Sequence, residues 1–229
     1  MENHFNNDTA LLELIKVTKI YPPDIVALQD ISFSAHRGEM IFLTGTSGAG
    51  KTTLLKLICR QGRPSRGLIE IGGNDLNRLN SGAIQQLRQK IGVAYQDFRL
   101  LPNKTVFRNI AMAMEVCYTG SREIQQRVNS LLQQLDINNK KDKPVNTLSR
   151  GEQQKVAIAR AAANTPPLVL ADEPTGNLDS ESTSLVMNFF RSLNENGSTT
   201  IIASHDENIY KNSKHRVLTL RNGKLYQNQ

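Results

Sequence analysis

Gly45-Thr46-Ser47-Gly48-Ala49-Gly50-Lys51-Thr52 fits the pattern Gly-x-x-x-x-Gly-Lys-Ser/Thr in full. Glycines at this spacing let backbone N–H groups turn inward around phosphate oxygens. A helix that begins there adds the positive end of its dipole. In that chemistry Lys51 reaches the β- and γ-phosphates and the Thr52 hydroxyl binds Mg²⁺. Thr53, one residue on, counts with the loop as phosphate-binding. The glycines are not spaced Gly-x-Gly-x-x-Gly, which argues against a dinucleotide. Without a ligand the same residues are a glycine-rich turn from strand to helix. The apolar run Met40–Leu43 before them and the apolar-rich Lys51–Cys59 after them match the setting of a phosphate loop.

A phosphate loop of this kind needs a carboxylate to complete a metal site. Leu168-Val169-Leu170-Ala171 reads as a buried strand that ends in Asp172-Glu173. Open α/β sheets bind ligands at the carboxyl ends of their strands, so Asp172 is placed to hold Mg²⁺, through water. Glu173 follows directly and points elsewhere, toward the water beyond the γ-phosphate, as a general base. His205 follows the apolar strand Thr200–Ala203 and is assigned a γ-phosphate contact. Gln96 follows Val93-Ala94-Tyr95, another strand end. Its chemistry leaves two readings open: a group orienting Mg²⁺ and water, or a polar boundary residue.

These residues need elements to carry them. Strands are read at Leu11–Val17, Ile31–Ala35, Met40–Leu43, Leu168–Ala171 and Thr200–Ala203. Ile69–Ile71 with Gly72-Gly73, and Val217–Leu220 with Asn222-Gly223, read as hairpins. Helices are read at Lys51–Cys59, Val156–Ala163 and Leu185–Leu193. A further helix carries Ile124, Val128, Leu131, Leu132 and Leu135 at 3.6-residue spacing. Buried strands alternating with helices give an α/β fold with a largely parallel sheet. The stretch of about 97–154 lacks such strands and reads as a helical insertion, and residues 1–9 as a flexible tail.

The chain has 229 residues, enough to bury a core without staples. Its two cysteines, Cys59 and Cys117, exclude a disulfide framework or structural zinc as organising features. The net charge of +7 suits polyanions: nucleotides, nucleic acid or an anionic membrane surface. No apolar run approaches the roughly 20 residues that span a bilayer, and the polar start has no signal-peptide core. The expectation is a protein kept inside the cell that meets a membrane only through a partner.

Leu148-Ser149-Arg150-Gly151-Glu152-Gln153, ahead of a helix and Asp172-Glu173, resembles the signature motif of the ABC ATPases. The phosphate loop, Gln96, Gly176-Asn177-Leu178-Asp179 and His205 follow the family order, and the resemblance covers residues 11–226. It implies a P-loop NTPase fold with a mostly parallel RecA-like core sheet, an antiparallel β subdomain and a helical subdomain. All of it would lie in one domain, 10–229. It implies ATP with Mg²⁺. It also implies a head-to-tail homodimer on ATP binding, in which Ser149, Gly151, Glu152 and Asp179 face nucleotide between the subunits. Tyr21 matches the aromatic that stacks on adenine, or else packs at a strand end.

Tyr95–Pro102, Glu152–Val156 and Ala171–Asp179 are similar to the bacterial cell-division (FtsE) group within that family. That similarity implies an integral membrane partner of FtsX type and control of periplasmic cell-wall hydrolases from the cytoplasmic face of the membrane. The lipoprotein-release and MacB-type ATPases share many of these residues and remain the alternative. A nucleic-acid-associated ABC ATPase would bring a second cassette, zinc cysteines or long coiled insertions. None is present, so nucleic acid is not the expected partner.

Two features stand apart from the pattern. Arg150 occupies a position where the family carries glycine, at the positive end of a helix that Ser149 and Glu152 would cap as a box. With no compensation evident within one chain, it is expected to favour ATP-driven closure of the dimer. Phe98, Leu100, Leu101 and Pro102 are apolar close behind Gln96. Two of them are expected to pack into the core and the rest to dock a short helix of the membrane partner.

Overall fold

Three apolar runs form the interior of the main sheet in the computed structural model, which describes residues 10–211 and 213–227. The tail expected at residues 1–9 lies outside the described residues. β3 (Met40–Thr44), β7 (Leu168–Asp172) and β8 (Thr199–Ala203) are buried at every position. Strands covered on both faces read as near-continuous apolar runs, broken here only at strand ends by Thr44, Asp172, Thr199 and Thr200. They join β6 (Ile91–Ala94), β9 (Arg216–Arg221) and β10 (Lys224–Gln227) in the order β10-β9-β3-β8-β7-β6. All neighbours run parallel except β10, which returns from β9 as a hairpin.

Register decides where the chemistry goes. Leu43 and Asp172 both pair with Ala203, and Ala94 pairs with Ala171. The carboxyl ends of four strands therefore sit at nearly one level. The residues that follow them, the Gly45 loop, Gln96, Glu173 and His205, are delivered to the same sheet edge.

Alternation along the strands splits the core in two. Ile41 and Leu43 face a cluster with Leu54 and Ile58 of α1 (Lys51–Ile58) and with Leu12, Leu14 and Ile31. The last three belong to a second, antiparallel sheet of order β2-β1-β4-β5: β1 (Ala10–Tyr21), β2 (Ile25–His36), β4 (Arg66–Ile71) and β5 (Asn74–Asp75). Met40 and Phe42 face the other cluster. It contains α3 (Val106–Glu115), α4 (Ser121–Gln134), α5 (Arg150–Ala162) and α6 (Ser180–Glu195).

α2 (Ser81–Gln89) and α3 are not among the helices read from the sequence. α2 buries only Leu87, so its apolar pattern is faint. α3 is marked by Thr105, whose hydroxyl accepts from the Arg108 N–H as an N-cap. β2 is also longer than its predicted core: it starts at Ile25, paired with Tyr21.

Candidate active site

The loop 45–50 is shaped by close backbone approaches. Gly45 has φ 145° and a Cβ there would lie 2.3 Å from the Leu220 carbonyl oxygen. Gly50 has φ 109°, and its Cβ would lie 2.7 Å from the Ala27 carbonyl oxygen. Only glycine fits either position. α1 then starts at Lys51, whose Nζ donates to the Gly45 carbonyl at 2.6 Å and to the Thr46 carbonyl at 3.4 Å.

A cleft of about 580 Å³ opens over this loop. It is lined by Thr46 to Thr53 together with Ala27, Gln96, Asp172, Glu173 and His205. Four residues from the ends of β6, β7 and β8 (Gln96, Asp172, Glu173 and His205) thus meet the phosphate loop as the register requires, and Ala27 joins them from β2. Gln96 lines the cleft together with Asp172.

Glu173 has φ 50°, a left-handed conformation uncommon for non-glycine residues. Its N–H donates to the Ala203 carbonyl at 2.8 Å. The bend turns its carboxylate away from Asp172 and into the cleft. One oxygen lies 3.4 Å from Lys51 Nζ and the other 2.9 Å from His205 Nδ1. The two charged partners are one-tenth exposed while His205 is mostly open, so His205 forms the outer wall.

Asp172 fits a hard cation. Thr52 Oγ1 donates to its Oδ2 at 2.7 Å, and its Oδ1 is buried with no hydrogen-bond partner. Oxygen donors of this type suit Mg²⁺. Burial pushes the Asp172 carboxyl above its ordinary range; the Thr52 hydrogen bond opposes the shift and the Glu173 charge adds to it. The folded state then binds the proton more tightly than the unfolded state. Stability is therefore lost as pH rises from the ordinary carboxylate range through the raised value. Asp172→Asn should melt about 2–4 °C above the wild type at pH 7 in EDTA, the effect of about 1 kcal/mol in a domain of this size. The gap should close as pH falls below the ordinary carboxylate range, and ATP turnover should be lost. Equal melting at pH 7 would remove the burial penalty from Asp172.

The loop after β6 is held from the helical side. Phe98 and Arg99 have φ of 58° and 50°. Arg160, on α5, donates to the Phe98 and Arg99 carbonyl oxygens, both at 2.6 Å. Sequence reasoning missed Arg160; its signal is a lone charge within the apolar run Val156–Ala163. Phe98 is 5% exposed and Leu100 half-buried, whereas Leu101 is 42% exposed and Pro102 is exposed too. Two of the four apolar residues pack inward, as expected.

A model of the family described as ABC transporter matches residues 28–176. The chain belongs to the ABC transporter family of ATP-hydrolysing cassettes. It is 41% identical to the cell division ATP-binding protein FtsE of Bacillus subtilis, covering 93% of each chain. It is 43% identical to FtsE of Escherichia coli K12, covering 92% of this chain and 95% of that one. Its fold matches a dimeric, post-hydrolysis structure of the ATP-binding cassette MJ0796 bound to ADP and Pi. There the TM-score is 0.90 and the identity 32%, over 95% of this chain and 98% of that one.

The remaining cassette residues lie outside the cleft of their own chain. Ser149 caps α5 and closes a capping box with Glu152: its hydroxyl accepts from the Glu152 N–H at 3.2 Å, and its own N–H donates to that carboxylate at 2.8 Å. Lys140 pairs with Glu152 at 3.0 Å. A Cβ on Gly151 would meet the Asn177 carbonyl oxygen at 3.1 Å, so this helix end packs against the loop 176–179. Asp179 caps α6, accepting from the Ser182 N–H. Tyr21 ends β1, partly exposed, with Lys19 Nζ 5.0 Å from its ring centroid.

Arg150 corrects one expectation. Its guanidinium lies 5.2 Å from the Phe98 ring centroid and donates to Asn177 Oδ1 at 3.3 Å. A single chain does compensate the cation at the positive helix end, by a cation–π contact and an amide acceptor.

Proposed function

We propose that this chain is the ATPase subunit of a membrane complex of the FtsE type. It would work with an FtsX-type integral membrane partner in cell division and in control of periplasmic cell-wall hydrolases. We read residues 10–229 as one ABC ATPase domain in which about 97–154 is a helical subdomain. The observation that carries the reading is an asymmetry within the chain. Lys51, Thr52, Gln96, Asp172, Glu173 and His205 share one cleft, while Ser149, Gly151, Glu152 and Asp179 are presented elsewhere. A second copy, head to tail, would bring its Ser149–Glu152 to that cleft and complete the site.

In the reaction, Glu173 takes a proton from the water that attacks the γ-phosphorus as the bond to the bridging β–γ oxygen breaks, giving ADP and phosphate. His205 fixes the Glu173 carboxylate and touches the γ-phosphate. Lys51 balances charge on the β- and γ-phosphates, and Tyr21 stacks on the adenine. Thr52, Asp172 and Gln96 would hold Mg²⁺, which neutralises charge on the phosphate oxygens when bound. ATP closes the dimer and hydrolysis reopens it. No helix among the described residues is long and apolar enough to cross a membrane. The chain would sit at the cytoplasmic face of the membrane, held by its partner.

The test is to purify the tagged chain from membranes and identify what accompanies it. A four-span FtsX-like protein is the expected result. A lipoprotein-release or MacB-type partner would replace the assignment, and salt-sensitive DNA binding without any membrane protein would overturn it.

Arg150 gives this reading a further consequence. By holding Asn177 it orders the loop that ends at Asp179, and it adds a cation to the face offered to the other subunit's ATP. Arg150→Gly should weaken ATP-dependent dimerisation, measured in the Glu173→Gln background, by about five-fold, the effect of about 1 kcal/mol. ATP affinity of the monomer should not change. Equal dimer affinity with Gly and Arg would make the residue neutral.

A further inference from the structure

We propose that Arg150 is a positioning residue for Gln96: its guanidinium, lying over the Phe98 ring, fastens the segment 96–99 to the start of α5. This rests on the preceding reading of Gln96 as a group at Mg²⁺ and water. Phe98 and Arg99, at the end of that segment, have φ of 58° and 50°. Consecutive left-handed residues other than glycine persist only where contacts around them hold them. Two local hydrogen bonds close the turn. The Phe98 N–H donates to the Tyr95 carbonyl at 3.0 Å, and the Arg99 N–H to the Asp97 carbonyl at 2.6 Å.

α5 holds this turn at two points. Arg160 binds the Phe98 and Arg99 carbonyl oxygens. Arg150, about 15 Å earlier along the helix, covers the side chain instead, 5.2 Å from the Phe98 ring centroid. Arg99 lies 3.9 Å from the Tyr95 ring centroid. Gln96 therefore belongs to a stretch whose two aromatic rings each meet a guanidinium. Of these two guanidinium groups, only that of Arg150 belongs to α5.

Arg150 also reaches the metal side of its own chain. It lines a cavity of about 400 Å³ together with Thr52, Gln96 and Asp172. Its neighbours Ser149 and Gly151 are read as facing the second subunit. Glycine at position 150 would leave the Phe98 ring without its cation. This hold acts within one chain, through Phe98, and is separate from the contact with Asn177 that orders the loop ending at Asp179.

The test is hydrogen exchange at the amides of 96–99 in the ligand-free full chain. Arg150 is exposed, so Arg150→Met should fold and melt as the wild type does. Its exchange at 96–99 should be about three-fold faster, the scale of an exposed cation–π contact. Arg150→Lys still offers a cation to the ring and should recover most of the protection. In a Phe98→Leu chain, which lacks the ring face, Arg150→Met should add nothing. At saturating ATP and Mg²⁺, with the protein concentrated enough to be fully dimeric, Arg150→Met should lower kcat by about three-fold and leave KM for ATP unchanged.

Unchanged exchange in Arg150→Met would overturn the proposal, as would an equal acceleration in the Phe98→Leu chain. Faster exchange with unchanged kcat would also overturn it, because the hold would then not reach Gln96. Wild-type turnover in Gln96→Ala would overturn the reading of Gln96 first, and this one with it.

Discussion

Glu173→Gln lowers ATP turnover by about 10²–10⁴-fold, the usual effect of losing a general base, while ATP still binds. The amide has the carboxylate's size and keeps a partner in His205, which lies 2.9 Å from the native oxygen. Its backbone demand is unchanged, since the left-handed bend is set by the N–H bond to Ala203. What it cannot do is accept the proton from water. Bound ATP then persists and the ATP-held dimer accumulates, visible by size-exclusion chromatography with Mg²⁺ and ATP. Turnover within a few-fold of the wild type would remove Glu173 from the role of base.

Lys51→Ala fails one step earlier. Lys51 is buried, and its ammonium is held by the Gly45 and Thr46 carbonyls and by Glu173 at 3.4 Å. Removing one member of a buried charge pair typically costs about 2–5 kcal/mol, so ATP affinity should fall by about 30-fold or more. Two effects add: the triphosphate loses a cation, and the Glu173 carboxylate loses its Lys51 partner and is left with His205. The loop itself should persist, because its shape depends on Gly45 and Gly50 rather than on the lysine. Titration with a fluorescent ATP analogue reads the loss, and circular dichroism reads the retained fold. Unchanged affinity would take Lys51 out of the site. The contrast with Glu173→Gln separates binding from chemistry.

Much of this site is local in origin and so legible in the sequence. The phosphate loop depends on glycines and a lysine at fixed spacing, within one turn from strand to helix. The carboxylate pair depends on a buried strand that ends, and an unbroken apolar run announces such a strand. The capping box at Ser149 and Glu152 is likewise a contact three residues apart. α4 was readable because five apolar residues repeat at helical period, and α2 was not, because it buries a single leucine.

Contacts between elements distant in the chain were decided only by tertiary structure. Register placed β6 beside β7 and so brought Gln96 to the phosphate cleft, and a strand's partner is not written in its own residues. Arg160 reads as one basic residue in an apolar helix, yet it fixes two left-handed residues some 60 positions away. Arg150 looked uncompensated because Phe98 and Asn177 come from two other segments. The sequence by itself determined what each strand end and turn could do, because short-range spacing sets local geometry. Packing decided which of those ends face one another, because that depends on burying both faces of the sheet at once.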